Sequence, residues 1–303
     1  MRLLLTAVLL LSASGALAQA WPQPEGGVYL KLSHGRSDAD QQFNSDGNAR
    51  PYAEGVKDHA FADRSGYLYA EYGLTPRLTL VGLLPFKTLT TRDLDFEYAA
   101  QAVGSAQIGA RYGLADLFRL SGTRHTAAVA GLLTIPLGYE RNRTPAVGTG
   151  QVDAQASLHY GLSLYPLPLY AQVGGGYRMR SDVYVFSSTV DCVPNRSIGC
   201  TADTRPDYGN EWFYTAEVGA SDGRWMLLQA LVQGVSSTQI IEPERITADG
   251  GLPTRQRFLK VGGGITVYPL AAVGVSIQAF RTPVGANTIR STDVFVGIEY
   301  IHR

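Results

Sequence analysis

The residues with the most chemical promise sit within one short stretch: Asp153, Ser157 and His159. An acid, a hydroxyl and an imidazole are the parts of a nucleophilic site. Their even spacing puts all three on one side of an extended chain, where alternate Cα atoms stand ~7 Å apart. A Ser157–His159 bond can form across that gap. No oxyanion or calcium-site pattern accompanies it, so a row of polar side chains explains the trio better than catalysis. The five histidines (His34, His59, His125, His159, His302) are scattered, and none pairs with another on one strand face beside a carboxylate. Gly148-Thr149-Gly150 has neither the following helix nor the lysine of a phosphate loop. The chain therefore reads as a non-enzyme, with no cofactor or metal implied.

Two cysteines, Cys192 and Cys200, lie close together beside Pro194, Asn195 and Gly199. In an exported chain such a pair predicts a disulfide, and two thiols are too few for a closed zinc site. Lys plus Arg total 26 and Asp plus Glu total 26, so no basic excess points to nucleic acid.

Most of the remaining charge recurs at alternate positions of extended segments. By parity, Lys31, Glu71, Gln107, Arg111, Asp153, Gln155, His159, Gln172, Arg178, Glu217, Lys260 and Glu299 share an inner face, as do Arg180, Glu211 and Asp293. The segments that position them alternate apolar and polar from Gly27 to His302. In 151–164, one parity gives Val152, Ala154, Ala156, Leu158, Tyr160 and Leu162, and the other gives Gln151, Asp153, Gln155, Ser157, His159 and Gly161. A slip of one residue would exchange the two faces. Twelve such segments are expected at 26–36, 61–72, 77–87, 100–113, 124–137, 151–165, 168–182, 209–220, 224–236, 255–267, 271–282 and 289–302. If 37–60 hides further strand, the count becomes fourteen.

These runs exceed the five or six residues usual for a soluble sandwich strand. Their polar face is rich in Gly, Ser, Gln and Thr. The pattern predicts an all-β protein, a transmembrane antiparallel up-and-down β-barrel, with one flank of each strand in lipid and the other in a polar lumen. Residues 1–20, with Arg2, an apolar run and Ala16-Leu17-Ala18, read as a signal peptide cleaved after Ala18 or after Ala20. The mature domain is then 21–303, in the outer membrane of a Gram-negative-type bacterium. Residues 21–25 form a short proline-containing lead.

Connections alternate between short (73–76, 165–168, 221–223, 268–270) and long (37–60, 88–99, 138–150, 183–208, 237–254), with 114–122 an intermediate exception. Short turns belong on the periplasmic side and long loops outside. Tyr72, Tyr112, Tyr165, Tyr268 and Tyr300 cluster near the short turns, as an interfacial girdle would. Arg141, Arg143, Arg196 and Arg205 lie in long loops, where they could meet lipopolysaccharide phosphates.

Several stretches resemble the outer-membrane family named for the meta-pathway of phenol degradation. They are Glu71-Tyr72-Gly73-Leu74-Thr75-Pro76-Arg77-Leu78-Thr79-Leu80 with Leu84-Pro85, Gly104-x-x-Gln107-x-Gly109-x-Arg111-Tyr112, Ile135-Pro136-Leu137-Gly138, Gly148-Thr149-Gly150-Gln151-Val152-Asp153 and Gly175-Gly176-Tyr177-Arg178. The resemblance covers roughly 65–180 and implies a pore or transporter for small, apolar or aromatic solutes. Gly297-x-x-Tyr300-x-His302 resembles the signal read by barrel-assembly machinery, although the chain finishes in Arg303 where many such chains finish in Phe. The outer-membrane phospholipase A family also places a His and a Ser two apart on a strand; there the site faces lipid, whereas here the order is reversed and both face inward. The expected function is passive passage of a small-molecule solute. The alternatives are a structural or surface-binding barrel with a plugged lumen and, further off, a lipid hydrolase.

Overall fold

The computed structural model describes residues 20–53, 55–56, 60–114, 125–139, 145–164, 166–184, 208–238 and 255–302. The leader up to residue 19, Tyr165, Cys192, Cys200 and the loop arginines 141, 143, 196 and 205 lie outside the described residues.

Fourteen β-strands are described: β1 Val28–Phe43, β2 Ala49–Pro51, β3 Phe61–Gly73, β4 Leu78–Arg92, β5 Glu97–Val103, β6 Ala106–Gly113, β7 His125–Ile135, β8 Gln151–Ser163, β9 Leu169–Tyr184, β10 Glu211–Ser221, β11 Met226–Ser237, β12 Arg257–Leu270, β13 Val273–Ala286 and β14 Thr288–His302. Twelve form a ring, each hydrogen-bonded to its sequence neighbour, with β14 returning to β1. The closing register runs antiparallel from Val28↔His302 to Phe43↔Thr288. No edge is left for water or lipid to solvate, which a strand in hydrocarbon requires.

The two extra strands are local. The short β2 folds back on the end of β1, so the 37–60 region lengthens β1 to Phe43 and adds a flap; it contributes no thirteenth staves to the wall. β5 and β6 are one stave interrupted at Gly104-Ser105. Phe86 faces Val103 and Leu83 faces Gln107, so one strand has an extra residue. The partner there is Pro85, which cannot donate to the ladder; its carbonyl accepts from the Gly104 N–H at 2.9 Å. Pro283 sits at a second register shift, between β12 and β13. Both prolines occupy the bulges where a strand tolerates them.

The faces separate cleanly. Leu32, Ile108, Leu158, Val173, Val218, Val296 and Ile298 are exposed on the outside, at 50–60%. Their neighbours Lys31, Arg111, His159, Gln172, Glu217 and Glu299 are buried inside. An exposed apolar belt flanking a polar interior inverts a soluble protein and matches a lipid-facing wall.

Turns set the two ends apart. The turn after β10 is built by Asp222, which accepts from the backbone N–H groups of Arg224, Trp225 and Met226 at 2.9, 2.8 and 3.0 Å. Those bonds, the one from Arg224 foremost, hold its carboxyl below the usual carboxylate range. Tyr72, Tyr112 and Tyr300 stand on the outer face at this end, 37–45% exposed. Tyr268 does not join them. It shares the parity of the fully buried Thr266 and lies against Gly274, so its ring points into the lumen.

Candidate functional site: the lumen and its two closures

The interior is crossed by ion pairs between strands. Lys31 on β1 meets its register partner Glu299 on β14 at 3.0 Å. Arg111 on β6 reaches Glu71 on β3 at 2.7 Å, and Lys87 on β4 reaches Asp63 on β3 at 3.2 Å. Lys260 on β12 pairs with Asp293 on β14, which also accepts from the Ser37 hydroxyl at 2.5 Å. On the other side of the ring, Glu211 on β10 takes both Arg178 (2.9 Å) and Arg180 (3.0 Å) from β9. Arg180 also reaches Asp153 on β8 at 3.4 Å, and Arg178 donates to Gln155 at 3.2 Å. Removing one member of such a buried pair leaves its partner's charge uncompensated, at a cost of ~3–5 kcal/mol.

Glu217 on β10 is held differently, by neutral donors. Gln172 on β9 and Gln229 on β11 donate to it at 2.8 and 2.7 Å, and the Tyr170 hydroxyl donates as well. Ser157 and His159 on β8 do bond, at 2.8 Å. Asp153 is turned to Arg180 instead, so the three residues do not assemble as a triad. Gln107 lies on the inner face of β6, one pair along from Arg111, half-buried.

Part of the lumen is aromatic. Phe295 packs edge-on against Tyr67 (6.0 Å between centroids) and Phe280 (6.1 Å). The Lys87 ammonium lies 5.1 Å from the Tyr67 ring centre. The missing Cβ of Gly35 makes room for Phe295 beside β1.

The short-turn end is closed by the lead. Gly26 (φ 74°) turns the chain, and Gly26 N–H donates to the Gly73 carbonyl at 2.8 Å. The lead then runs inward. Gln23 donates through its backbone to Thr79 Oγ1 (2.8 Å) and through its side chain to Glu71 (2.7 Å). Trp21 meets Tyr170 edge-on at 5.9 Å. Ala20 accepts from the Thr126 hydroxyl at 3.0 Å and donates to Gln172 Oε1 at 3.3 Å. The segment thus spans from β3 and β4 to β7 and β9. Gly161 is needed for it: a Cβ there would come 2.5 Å from the Trp21 ring. Sequence parity, which follows strands alone, missed this plug. The available signal was Trp21-Pro22-Gln23-Pro24, an apolar ring with two prolines that cannot join a ladder.

At the long-loop end the described residues pack into an apolar cluster. Tyr52, Ala53 and Ala60 from the first loop join Phe61, Leu89, Ile289, Tyr139 and Val147 in one buried cluster. The Tyr139 hydroxyl bonds Ser105 and accepts from the Gly150 N–H, both at 2.9 Å. Burial pushes that phenol up, against the opposing pull of both bonds.

No family model matches the chain, and no curated protein matches it in sequence. Solved structures do match in fold. An outer membrane channel from Pseudomonas putida F1 aligns at TM-score 0.73 and 15% identity, over 94% of this chain and 99% of that one. The NanC porin aligns at 0.51 and 7%, over 89% and 98%. The KdgM porin, solved with disordered oligogalacturonate, aligns at 0.51 and 8%, over 91% and 99%. At these identities the likeness is one of fold, and that fold is the closed antiparallel barrel of outer-membrane proteins.

Proposed function

We propose that the chain is an outer-membrane channel for passive passage of small solutes, with the lead as its inner gate. One observation carries this reading. The short-turn mouth is shut by a separate segment bonded to the wall at a few polar points, so it can open without disturbing the ring. The path runs along Lys31, Glu71, Gln107, Arg111, Asp153, Gln155, His159, Gln172, Arg178, Glu217, Lys260 and Glu299. Apolar or aromatic solutes fit best. The Tyr67–Phe280–Phe295 slab inside and the Tyr52–Tyr139 cluster at the long-loop mouth give them surfaces to partition onto. The local resemblance to the family of the phenol meta-pathway supports the same solute class, and the Pseudomonas putida protein is itself an outer membrane channel.

In this reading the leader directs export, assembly machinery inserts the barrel, and the long loops face outward with the Cys192–Cys200 disulfide among them. Lipopolysaccharide is a partner. Arg36 and Arg64 face each other across β1 and β3 on the outer wall near the long loops. Asp38 bridges them at 2.7 and 2.5 Å, so among the described residues two cations stand against one carboxylate where lipid phosphates would meet the wall.

The second reading, a structural barrel with a plugged lumen, is favoured by the lead crossing one end and the apolar cluster at the other. Planar-bilayer recordings separate the two. Protein lacking residues 21–25 is expected to conduct several-fold more than the intact protein; if neither conducts, the channel reading fails.

A further inference from the structure

The charges fixed inside the barrel do not balance. The described residues bury seven carboxylates, and ion pairs take six: Asp63, Glu71, Asp153, Glu211, Asp293 and Glu299. The seventh is Glu217, 5% exposed. Tyr170, Gln172 and Gln229 donate hydrogen bonds to it, but none brings a positive charge. A buried carboxylate is strongly stabilised by a cation and only partly by neutral dipoles.

The lead ends at this carboxylate. The Ala20 N–H donates to Gln172 Oε1, and Nε2 of the same amide donates to Glu217 Oε2. Trp21 rests against Tyr170, whose hydroxyl also bonds Glu217. The two side chains that receive the start of the lead are therefore two of the three that hold Glu217.

The sequence places a cleavage site here. Hydrolysis after Ala18 or Ala20 adds one water across the peptide bond. The leader departs with a new carboxyl group, and the mature chain gains an α-amine, protonated at neutral pH (ordinary pKa ~7.7–8.0). Ala20 is fully buried and bonded through both its N–H and its carbonyl, which favours its retention and hence cleavage after Ala18. The new charge then arises one residue before Ala20, a step of ~3.8 Å.

We propose that Glu217, with Tyr170, Gln172 and Gln229, is a binding site for a primary ammonium, and that the processed amino terminus of the protein fills it. The terminus supplies the seventh cation of the lumen. The unprocessed chain has no such charge, so the plug is latched only after the leader is removed. This inference rests on leader removal and not on passage through the lumen.

The test is the reactivity of the α-amine. Folded mature protein in detergent is treated with an acetylating succinimidyl ester across a range of pH, and the N-terminal peptide is quantified by mass spectrometry. The peptide is expected to begin at Gln19 with a free amine, reacting at least tenfold more slowly at neutral pH than in the urea-unfolded chain. Its reactivity profile should be displaced to higher pH, because an ion pair favours the ammonium whereas burial alone disfavours it. The titratable side chains nearest to it are Glu217, Tyr170 and Tyr268, with His159 the next inner-face residue of β8 beyond Gly161. Glu217→Gln should raise the labelling rate several-fold while the folded band on an unboiled gel is retained. A profile displaced to lower pH in the wild type overturns the proposal whether or not that variant folds. So does a terminus blocked by cyclisation of Gln19, or a Glu217→Gln protein labelled no faster than the wild type.

Discussion

The two ends of the barrel are held by different physics. At the short-turn end, residues 20–24 are tied by hydrogen bonds to Glu71, Thr79, Thr126 and Gln172. At the long-loop end, Tyr52, Phe61, Leu89, Tyr139, Val147 and Ile289 exclude water as a small core. Polar ties exchange readily with water, each net worth only ~0.5–1.5 kcal/mol. An apolar cluster cannot be replaced by water, yet an apolar solute can enter it at little cost. Under the proposed function, this difference places solute collection at the long-loop end and gating at the short-turn end.

Substitutions at each end can break this contrast. The largest effect is expected at Arg111, whose partner Glu71 also accepts from Gln23 of the plug. Arg111→Met leaves the Glu71 carboxylate buried without its cation and should cost ~3–5 kcal/mol, read as a lower urea midpoint of the refolded barrel. Arg111→Met combined with Glu71→Gln should recover much of that loss, because no unpaired charge remains. Next is Phe61→Ala in the apolar closure, ~3 kcal/mol by cavity formation, with conductance little changed because the plug is untouched. Equal gains in conductance from Phe61→Ala and from loss of the plug would erase the distinction. The smallest is Gln23→Ala, which removes a bond to a charged group worth ~1.5–3 kcal/mol. It should raise the frequency of openings in single-channel records and lower the urea midpoint by less than Phe61→Ala does, because the bond ties the lead and not the ring.

Much of the wall was legible in the sequence, because the two-residue period of a strand reports its two environments directly. In β8 the alternation from Val152 to Leu162 assigned every side chain to the face it occupies. All twelve staves of the ring fall within a few residues of their expected spans, apart from the longer outer ends of β1 and β4. Those ends rise past the apolar belt, where lipid no longer marks the outer face: Asp38, Gln41 and Gln42 continue β1 by pairing with β14, with Ala39 and Phe43 buried beside them. The buried Asp63–Lys87 pair was missed although both residues lie within expected strands and on the inner parity, Asp63 with Glu71 and Lys87 with Thr79.

The closures were less legible because neither has a period. Tyr52 and Tyr139 come from separate loops and meet only when the barrel brings β1–β3 near β7–β8. The lead carries no alternation, and its docking depends on small residues far away in sequence, such as Gly73 and Gly161. Tyr268 illustrates the converse: the frequency of tyrosine near short turns suggested a girdle, but the parity set by Thr266 aims its ring inward.

The most direct test of gating by the lead is a reversible tether. The Gln23 backbone lies 2.8 Å from Thr79 Oγ1, so Gln23→Cys with Thr79→Cys puts two thiols in reach across the plug and the wall. In planar bilayers the oxidised protein should stay closed, and a reductant added on the short-turn side should restore openings to the level of either single variant. If the tethered and reduced proteins conduct alike, the lead is not the gate.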